Sequence, residues 1–194
     1  MNKTLDIFKV SDSPSKVICP PDQVFKNSNF EYLITRGGHL VEDASQYGLL
    51  MDFLTEIGEK EFVLKENLGA TIIDDERTIP LEAIFSTKSN LTDFDEKLKD
   101  FDEIVDMAGF ILHWFVNGQK DSWGIYISEY PTINIIGCLP ELANGFRKIF
   151  NIKEDGYEQE KSFLESEFEC AKSLNAKKDF LANYKIKNAP QQNL

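Results

Sequence analysis

The stretch Phe110–Cys138 reads FILHWFVNGQKDSWGIYISEYPTINIIGC, and it decides the fold that the sequence predicts. It contains three apolar runs of strand length, Phe110–Val116, Trp123–Ser128 and Thr132–Cys138, which are rich in aromatic and β-branched residues. The first run is apolar on both alternations, which is typical of a central strand covered on both sides. These runs therefore predict three strands of one sheet.

Turn residues inside and before this stretch favour antiparallel neighbours. Asn117-Gly118 predicts a hairpin, and the polar residues up to Ser122 indicate a loop longer than two residues. Further candidate strands precede the stretch: Phe30–Thr35, Glu61–Lys65, Ala70–Ile73 and Ile79–Phe85.

Helical periodicity appears in two segments before the stretch. Glu42–Ile57 has apolar residues at helical spacing and is followed by Gly58 at the expected C-terminal cap. The stripe over residues 91–108 is the more regular one, and Thr92 with Asp95 predicts a capping box at its start. Two helical segments follow the stretch: Pro140–Phe150, and a charge-rich helix or helix pair over residues 155–183.

This order of elements predicts an α+β fold. We expect a mostly antiparallel sheet of five to seven strands, with helices packed mainly on one face and a C-terminal helical segment. Residues 1–29 contain three prolines among Ser, Asp and Asn, and they predict an extended, loosely structured N-terminal arm. A single domain follows over residues 30–185, in which 155–185 form a helical extension, and residues 186–194 form a flexible tail.

The excess negative charge lies in one stretch, Glu42–Asp106. This stretch holds 18 acids and 6 bases, whereas the rest of the chain holds 15 of each. A concentrated field of one sign steers and selects a partner of the opposite sign, so the stretch predicts a basic protein partner. Because phosphate binding requires clustered Lys and Arg, a sequence pI near 4.6 predicts no binding to nucleic acid or to a membrane surface.

Seven acids of this stretch are the candidate contacts to that partner. The helix over residues 91–108 turns its apolar stripe inward and leaves acids on its outer face, and a turn between two upstream strands adds three more. Ordinary solvated surface is the alternative interpretation of both groups. The candidate acids are Asp95, Asp102, Glu103 and Asp106 on the helix and Asp74, Asp75 and Glu76 in the turn.

Three aromatic residues, Trp123, Tyr126 and Tyr130, have two interpretations. They pack in the core, or they lie on an exposed sheet face or edge as anchors of the interface, since Trp and Tyr are favoured residues in binding hot spots. All three are included among the candidate partner-binding residues.

Candidate catalytic groups are few. His39 follows the double-glycine turn, where an exposed loop residue is expected, and His113 alternates with apolar residues, which predicts a buried, hydrogen-bonded sheet histidine. Cys138 precedes a predicted helix N-terminus, which lowers a thiol pKa, and it is the best candidate nucleophile; a buried apolar residue is the alternative. No metal-ligand spacing and no phosphate-binding loop occur, so the sequence predicts no metal and no cofactor.

The sequence favours a binding protein in a reducing compartment. Three cysteines at wide spacing and an N-terminus without a long apolar run predict the cytoplasm. The leading hypothesis is a non-enzymatic acidic protein that neutralises a basic partner, as a bacterial immunity or antitoxin-like protein blocks a toxin domain. The alternatives are an acidic secretion chaperone or adaptor for a client protein, an enzyme that uses Cys138 or loop carboxylates, and a structural module of a larger assembly.

Overall fold

The computed structural model describes residues 7–10, 18–67, 82–106, 113–129, 131–157, 163–169 and 175–185, with the backbone alone for residues 100–106, 163, 165 and 169. Within these ranges the chain is an α+β protein built on one antiparallel sheet of six strands. The predicted fold class is therefore confirmed. None of the helices in this part of the chain is both long enough and apolar enough to cross a lipid bilayer.

The strands of the sheet are β1 (Glu31–Arg36), β2 (Glu61–Glu66), β3 (Glu82–Ser86), β4 (His113–Gly118), β5 (Trp123–Ser128) and β6 (Ile133–Cys138). They lie in the order β1-β6-β5-β4-β2-β3, and every neighbouring pair is antiparallel. β4, β5 and β6 are buried at every position because layers cover both faces of the sheet. The strand predicted at Ala70–Ile73 lies outside the described residues.

The turn between β4 and β5 comprises residues 119–122, which confirms the loop of more than two residues. The buried carboxylate of Glu59 sits behind this turn, and a Cβ on Gly118 would lie 2.4 Å from its Oε1. Gly118 is thus required for the close approach of Glu59 and continues β4. Glu59 accepts hydrogen bonds from the backbone N–H of Gln119 at 2.8 Å, that of Lys120 at 3.3 Å, and Nε1 of Trp123 at 3.2 Å.

The helices are α1 (Ala44–Glu56), α2 (Leu91–Asp106), α3 (Ala143–Ile149), α4 (Phe163–Glu169) and α5 (Ala176–Asn183), and a 3-10 turn at Pro140–Leu142 precedes α3. α1 follows the predicted pattern, since Asp43 caps its start and Gly58, with φ of +81°, follows its end. The predicted C-terminal helical segment is present as the two short helices α4 and α5.

The N-terminal cap of α2 differs from the prediction. The backbone N–H of Asp93 donates to Asn90 Oδ1 at 2.9 Å, and the backbone N–H of Asn90 donates to Asp93 Oδ2 at 3.3 Å. The reciprocal capping box is therefore formed by Asn90 and Asp93 and not by Thr92 and Asp95. This leaves the Asp95 carboxylate outside the cap.

One face of the sheet, here called the helical face, is covered by α1, α2 and α3. Leu54 of α1 and Phe146 of α3 are fully buried against inward residues of the central strands. The Phe146 ring lies 5.7 Å from that of Trp123 and 5.1 Å from that of Phe53. This layer agrees with the prediction that helices pack mainly on one face.

The opposite face, here called the terminal face, is covered by the N-terminal residues 7–10 and 18–30 together with α4 and α5. Phe8 and Phe25 are buried, and the Phe8 ring lies 4.6 Å from that of Phe115. Tyr184 follows α5, and its hydroxyl donates to the Asp22 carbonyl oxygen at 2.5 Å and accepts from the backbone N–H of Val24 at 2.9 Å. The described part of the arm therefore belongs to the core, unlike the loosely structured segment that its prolines predict.

Candidate functional site

A cleft of about 660 Å³ opens on the helical face, between the loop of residues 37–43 and α2. Its volume falls within the ~300–1,000 Å³ range of ligand pockets. The cleft combines an apolar floor with a charged rim, and Asp95, one of the candidate partner-binding acids, lines it. It is the candidate functional site for these reasons.

The floor of the cleft is formed by the sheet, through Leu64 of β2, Trp114 of β4 and Ile127 of β5. Side chains alternate between the two faces along a strand, and these three belong to the helical face. Trp114 and Ile127 are direct partners in the register of β4 and β5, and each of the three is at most 9% exposed. The floor is thus a preformed apolar platform.

The loop of residues 37–43, here called the loop wall, is pinned to the start of β6. Gly37 lies so close to β6 that a Cβ there would be 2.2 Å from the carbonyl carbon of Ile133. Gly38 has φ of +100°, a conformation that favours glycine. Nδ2 of Asn134 then donates to the backbone oxygen of His39 at 2.7 Å. The double-glycine turn therefore allows the wall to stand directly against the sheet.

The loop wall carries two exposed acids, Glu42 and Asp43, at the start of α1. Oδ1 of Asp43 accepts from the backbone N–H of Gln46 at 2.8 Å, and Oε1 of Gln46 accepts from the backbone N–H of Glu42 at 2.7 Å. Nε2 of Gln46 also donates to the carbonyl oxygen of Ile149 at 3.3 Å. These bonds hold the backbone of the wall in place and leave the Glu42 carboxylate outside the network.

The opposite wall, here called the helix wall, is one stripe of α2 side chains. Phe94 fixes its position, because this buried ring lies 5.4 Å from the ring of Tyr47 and 4.6 Å from that of Phe85. The stripe has an apolar inner part and a charged outer edge. Its members are Leu91, Phe94 and Leu98, with Asp95 and Lys99 at the edge.

The rim of the cleft is predominantly negative. Four carboxylates, those of Glu42, Asp43, Asp95 and Glu129, line it together with one ammonium group, that of Lys99. Asp95 and Lys99 are both exposed, and no ion pair joins these two described side chains. The opening therefore presents a negative field above an apolar floor, an arrangement that attracts a cation carrying an apolar group.

The structure brings one of the seven candidate acids, Asp95, to the cleft. Asp102, Glu103 and Asp106 lie in the last turns of α2, where the structure describes the backbone alone. The turn at 74–76 lies outside the described residues, as does Tyr130. Their predicted contacts to a partner stay predictions.

The structure corrects the prediction for Trp123 and Tyr126, which are both fully buried. β5 is covered on both sides, so the Trp123 side chain belongs to the core of the helical face and that of Tyr126 to the core of the terminal face. The Tyr126 hydroxyl is hydrogen-bonded to Nδ1 of His113 and Nδ2 of Asn67, each at 3.1 Å. Their predicted role as exposed interface anchors is therefore wrong, and the core interpretation holds.

The candidate nucleophile also differs from its prediction. Cys138 is fully buried, and this burial, reinforced by the nearby Glu31, raises the pKa of its thiol above the ordinary value. The predicted activation by a helix N-terminus is therefore wrong. A thiol with a raised pKa is protonated near neutral pH and is a poor nucleophile.

The two histidines lie in separate places and have different surroundings. His113 is the predicted buried sheet histidine, and burial lowers its pKa from 6.5 to about 4. His39 is exposed on the loop wall, as predicted. Within the described ranges no group of three or more His, Cys, Asp or Glu side chains is arranged to hold a metal ion.

The sequence did not indicate most of the cleft. Leu64, Trp114 and Ile127 come from three strands, and each is an ordinary apolar member of its own alternation. Two local patterns do point to the cleft. The paired glycines at 37–38 indicate that two backbone segments approach closely, and Leu91, Phe94 and Leu98 form an apolar stripe that lines the cleft. Neither pattern specifies that the two segments face each other.

Comparisons of the chain with protein-family models, with curated proteins and with solved structures gave no match. The function of the chain is therefore inferred from the geometry and charge of the cleft.

Proposed function

We propose that this chain is a non-enzymatic binding protein that captures a basic protein partner at the acid-rimmed cleft. In its specific form the proposal is neutralisation, in which the acidic protein covers the functional surface of a cationic domain, as an immunity or antitoxin protein does. The proposal includes a reducing compartment, the cytoplasm, in keeping with the free thiols of Cys19 and Cys138.

The observation that carries the proposal is the joint presence of an apolar floor and a negative rim in one opening. An apolar pocket that is already formed in the free protein accepts an anchoring side chain without a cost of reorganisation. Rim charges by themselves contribute little to equilibrium affinity, but they raise the rate of encounter with a partner of opposite sign. The negative rim is therefore expected to affect mainly the association rate, and the apolar floor mainly the dissociation rate.

The hydrogen bonds of the loop wall support a rigid binding site. The wall is tied to β6 through Asn134 and to the end of α3 through Gln46, so the backbone that carries the acids is set before a partner arrives. Preorganised charges of this kind favour specific partners, because a mobile wall would adapt to many.

The test is a pair of charge reversals on opposite walls, Glu42→Lys with Asp95→Lys. Asp43 is retained because it caps α1. The probe is a twelve-residue peptide of Lys, Leu and Phe, compared with one of Lys, Gly and Ser and one of Glu, Leu and Phe. We expect the first peptide to bind most tightly, and the double reversal to weaken it about tenfold, with slower association and a flatter salt dependence.

A matched control changes the net charge equally at two exposed acids outside the cleft, through Asp121→Lys with Glu154→Lys. We expect this control to weaken binding less than about twofold at 0.15 M salt, because the screening length is ~8 Å there. Equal losses in the two double variants, or equal binding of the acidic peptide, would contradict capture at the cleft.

A further inference from the structure

We infer that the cleft selects a segment that carries both signs of charge: a large apolar side chain for the floor, a cation for the acidic rim, and a carboxylate for Lys99. This inference rests on the proposed function and names the chemistry of the segment that the cleft receives. A purely polybasic segment is a weaker ligand on this account.

The helix wall is the origin of this selectivity. Asp95 and Lys99 are four residues apart on α2, which places them ~6 Å apart along the helix axis on nearly the same side. Both side chains are exposed and line the cleft. Among the residues that the structure describes, neither forms an ion pair. Each of the two charges is therefore available to an opposite charge on a bound segment.

The loop wall adds negative charge on the side of the cleft opposite α2. It contributes the carboxylates of Glu42 and Asp43 and no Lys or Arg to the cleft lining. A cation on the segment is attracted by both walls, whereas a second cation placed beside Lys99 is repelled by it. A carboxylate beside Lys99 removes this repulsion and forms a favourable pair. The lysine is thus a specificity-determining residue.

The spacing of the two charges on the segment follows from the helix. Charges that are two residues apart in an extended segment are separated by ~6.4–6.8 Å on the same side. Charges four residues apart on a helical segment are separated by ~6 Å. Both arrangements match the separation of Asp95 and Lys99 and leave neighbouring positions for an apolar side chain on Trp114 and Ile127.

A second copy of this chain is a less suitable occupant. Each copy has a net charge of −12, so two copies repel each other at low and moderate salt. A basic partner carries a net charge of the opposite sign. The carboxylate that pairs with Lys99 is then one of the few acidic groups of that partner. The occupant to which we commit is therefore a bipolar, apolar segment of a basic protein.

The experiment measures the binding of four synthetic peptides. Three have a Gly/Ser background around Lys-Leu-Glu, Lys-Leu-Lys or Glu-Leu-Glu. The fourth is helical and carries Lys and Glu four residues apart with an adjacent Leu. The proteins are the unmodified chain, Lys99→Glu, and Lys88→Glu as a matched control. Lys88 is exposed and lies outside the cleft lining. Fluorescence anisotropy at 0.05 and 0.15 M salt gives the dissociation constants.

We expect the unmodified chain to bind Lys-Leu-Glu about fivefold more tightly than Lys-Leu-Lys, and Lys99→Glu to reverse this preference. Lys88→Glu should leave the preference unchanged at 0.15 M salt, because this residue lies outside the cleft lining and its charge is screened. A third variant, Lys99→Gln, should abolish the preference, and it keeps the test decisive if the Lys99→Glu chain misfolds.

Three outcomes overturn the inference. If cationic peptides bind but Lys99 variants do not change the preference, selection by Lys99 is wrong and the proposed function stands. If no cationic peptide binds, both are wrong. If sedimentation shows a dimer that the Lys99 variants dissociate, the occupant is a second copy.

Discussion

The two faces of the sheet are covered to different extents. On the terminal face, the arm and the C-terminal helices form a continuous aromatic layer, and hydrogen bonds from Tyr184 join its two parts. On the helical face, α1 and α3 cover one half, whereas the loop wall and α2 stand apart above Trp114 and Ile127. The terminal face is therefore closed over β4 to β6, although Ile84 of β3 is 49% exposed on that side, and the helical face is open at the cleft; we call them the sealed face and the open face.

The difference separates a face that is filled by core residues from the face that holds the proposed binding cleft. The sealed face is filled by rings in mutual contact, for example Phe168, Phe180 and Tyr184. The open face has a cleft above its apolar floor, and acids form the rim of this cleft. Substitutions on the two faces should therefore affect different measurements.

The largest expected effect is on the sealed face, for Phe180→Ala. This ring is fully buried and lies 5.2 Å from that of Phe168 and 4.8 Å from that of Tyr184. Its removal leaves a cavity and should lower the free energy of unfolding by about 3–5 kcal/mol, measured by urea denaturation. The comparison on the open face is Leu91→Ala, which removes a smaller, half-buried side chain and should cost about 1 kcal/mol.

Equal costs for Phe180→Ala and Leu91→Ala would remove the distinction between a sealed and an open face. Peptide binding provides the second readout: Leu91→Ala should weaken it, and Phe180→Ala should not do so under conditions in which the variant is folded.

A smaller effect is expected from acid, through His113 on the sealed face. Burial lowers the pKa of this histidine from 6.5 to about 4, so between these values the unfolded chain binds more protons than the folded chain. The free energy of unfolding should therefore fall as pH falls through this window. The contribution of this residue is about 3 kcal/mol at ~1.4 kcal/mol per pKa unit.

Carboxylates titrate in the same range, so the measurement is the difference between the unmodified chain and His113→Asn. Asparagine retains a polar group near the hydroxyl of Tyr126. We expect the unmodified chain to lose about 3 kcal/mol more than the variant between pH 7 and pH 4 in urea denaturation. Parallel pH profiles would show that the histidine is hydrated in the folded chain.

The smallest effect is expected at Gly48, in the helix that covers the open face. This glycine is in α1 and is exposed, and a Cβ added to it would have no heavy atom of another residue within 4 Å beyond its chain neighbours and the helix backbone. Gly48→Ala should raise the free energy of unfolding by about 0.5–1 kcal/mol, because alanine loses less backbone entropy in a helix. Thermal unfolding should shift upward by about 1–4 °C, with peptide affinity unchanged. A destabilised Gly48→Ala chain would mean that this side of α1 is covered.

Local patterns account for the elements that the sequence predicted well. The bounds of β5 and nearly those of α1 follow from alternation, helical spacing and adjacent turn residues, which act over a few positions. The α2 cap shows the limit of such patterns. Asn90 with Asp93 and Thr92 with Asp95 both have the spacing of a capping box, and only the backbone hydrogen bonds distinguish them.

Long-range placement accounts for what the sequence did not predict. Trp114 and Trp123 both lie in predicted strands, yet one forms the cleft floor and the other contacts Phe146. Tyr126 is buried because the N-terminal arm and α5 cover its face of the sheet, and the arm is rich in polar residues and proline. Strand order and the docking of distant segments decide these positions, and neither is encoded in a short window.

The hydrogen bond between Val24 and Tyr184 joins residues that are 160 positions apart in the chain. A ribosome that adds ~5–20 residues per second needs about 8–32 s to synthesise the intervening segment. During that interval Phe8 and Phe25 lack the α5 layer that later closes over their side of the sheet. The nascent chain therefore leaves these two rings partly uncovered until α5 has been synthesised, and chaperone binding is expected around Phe8 and Phe25.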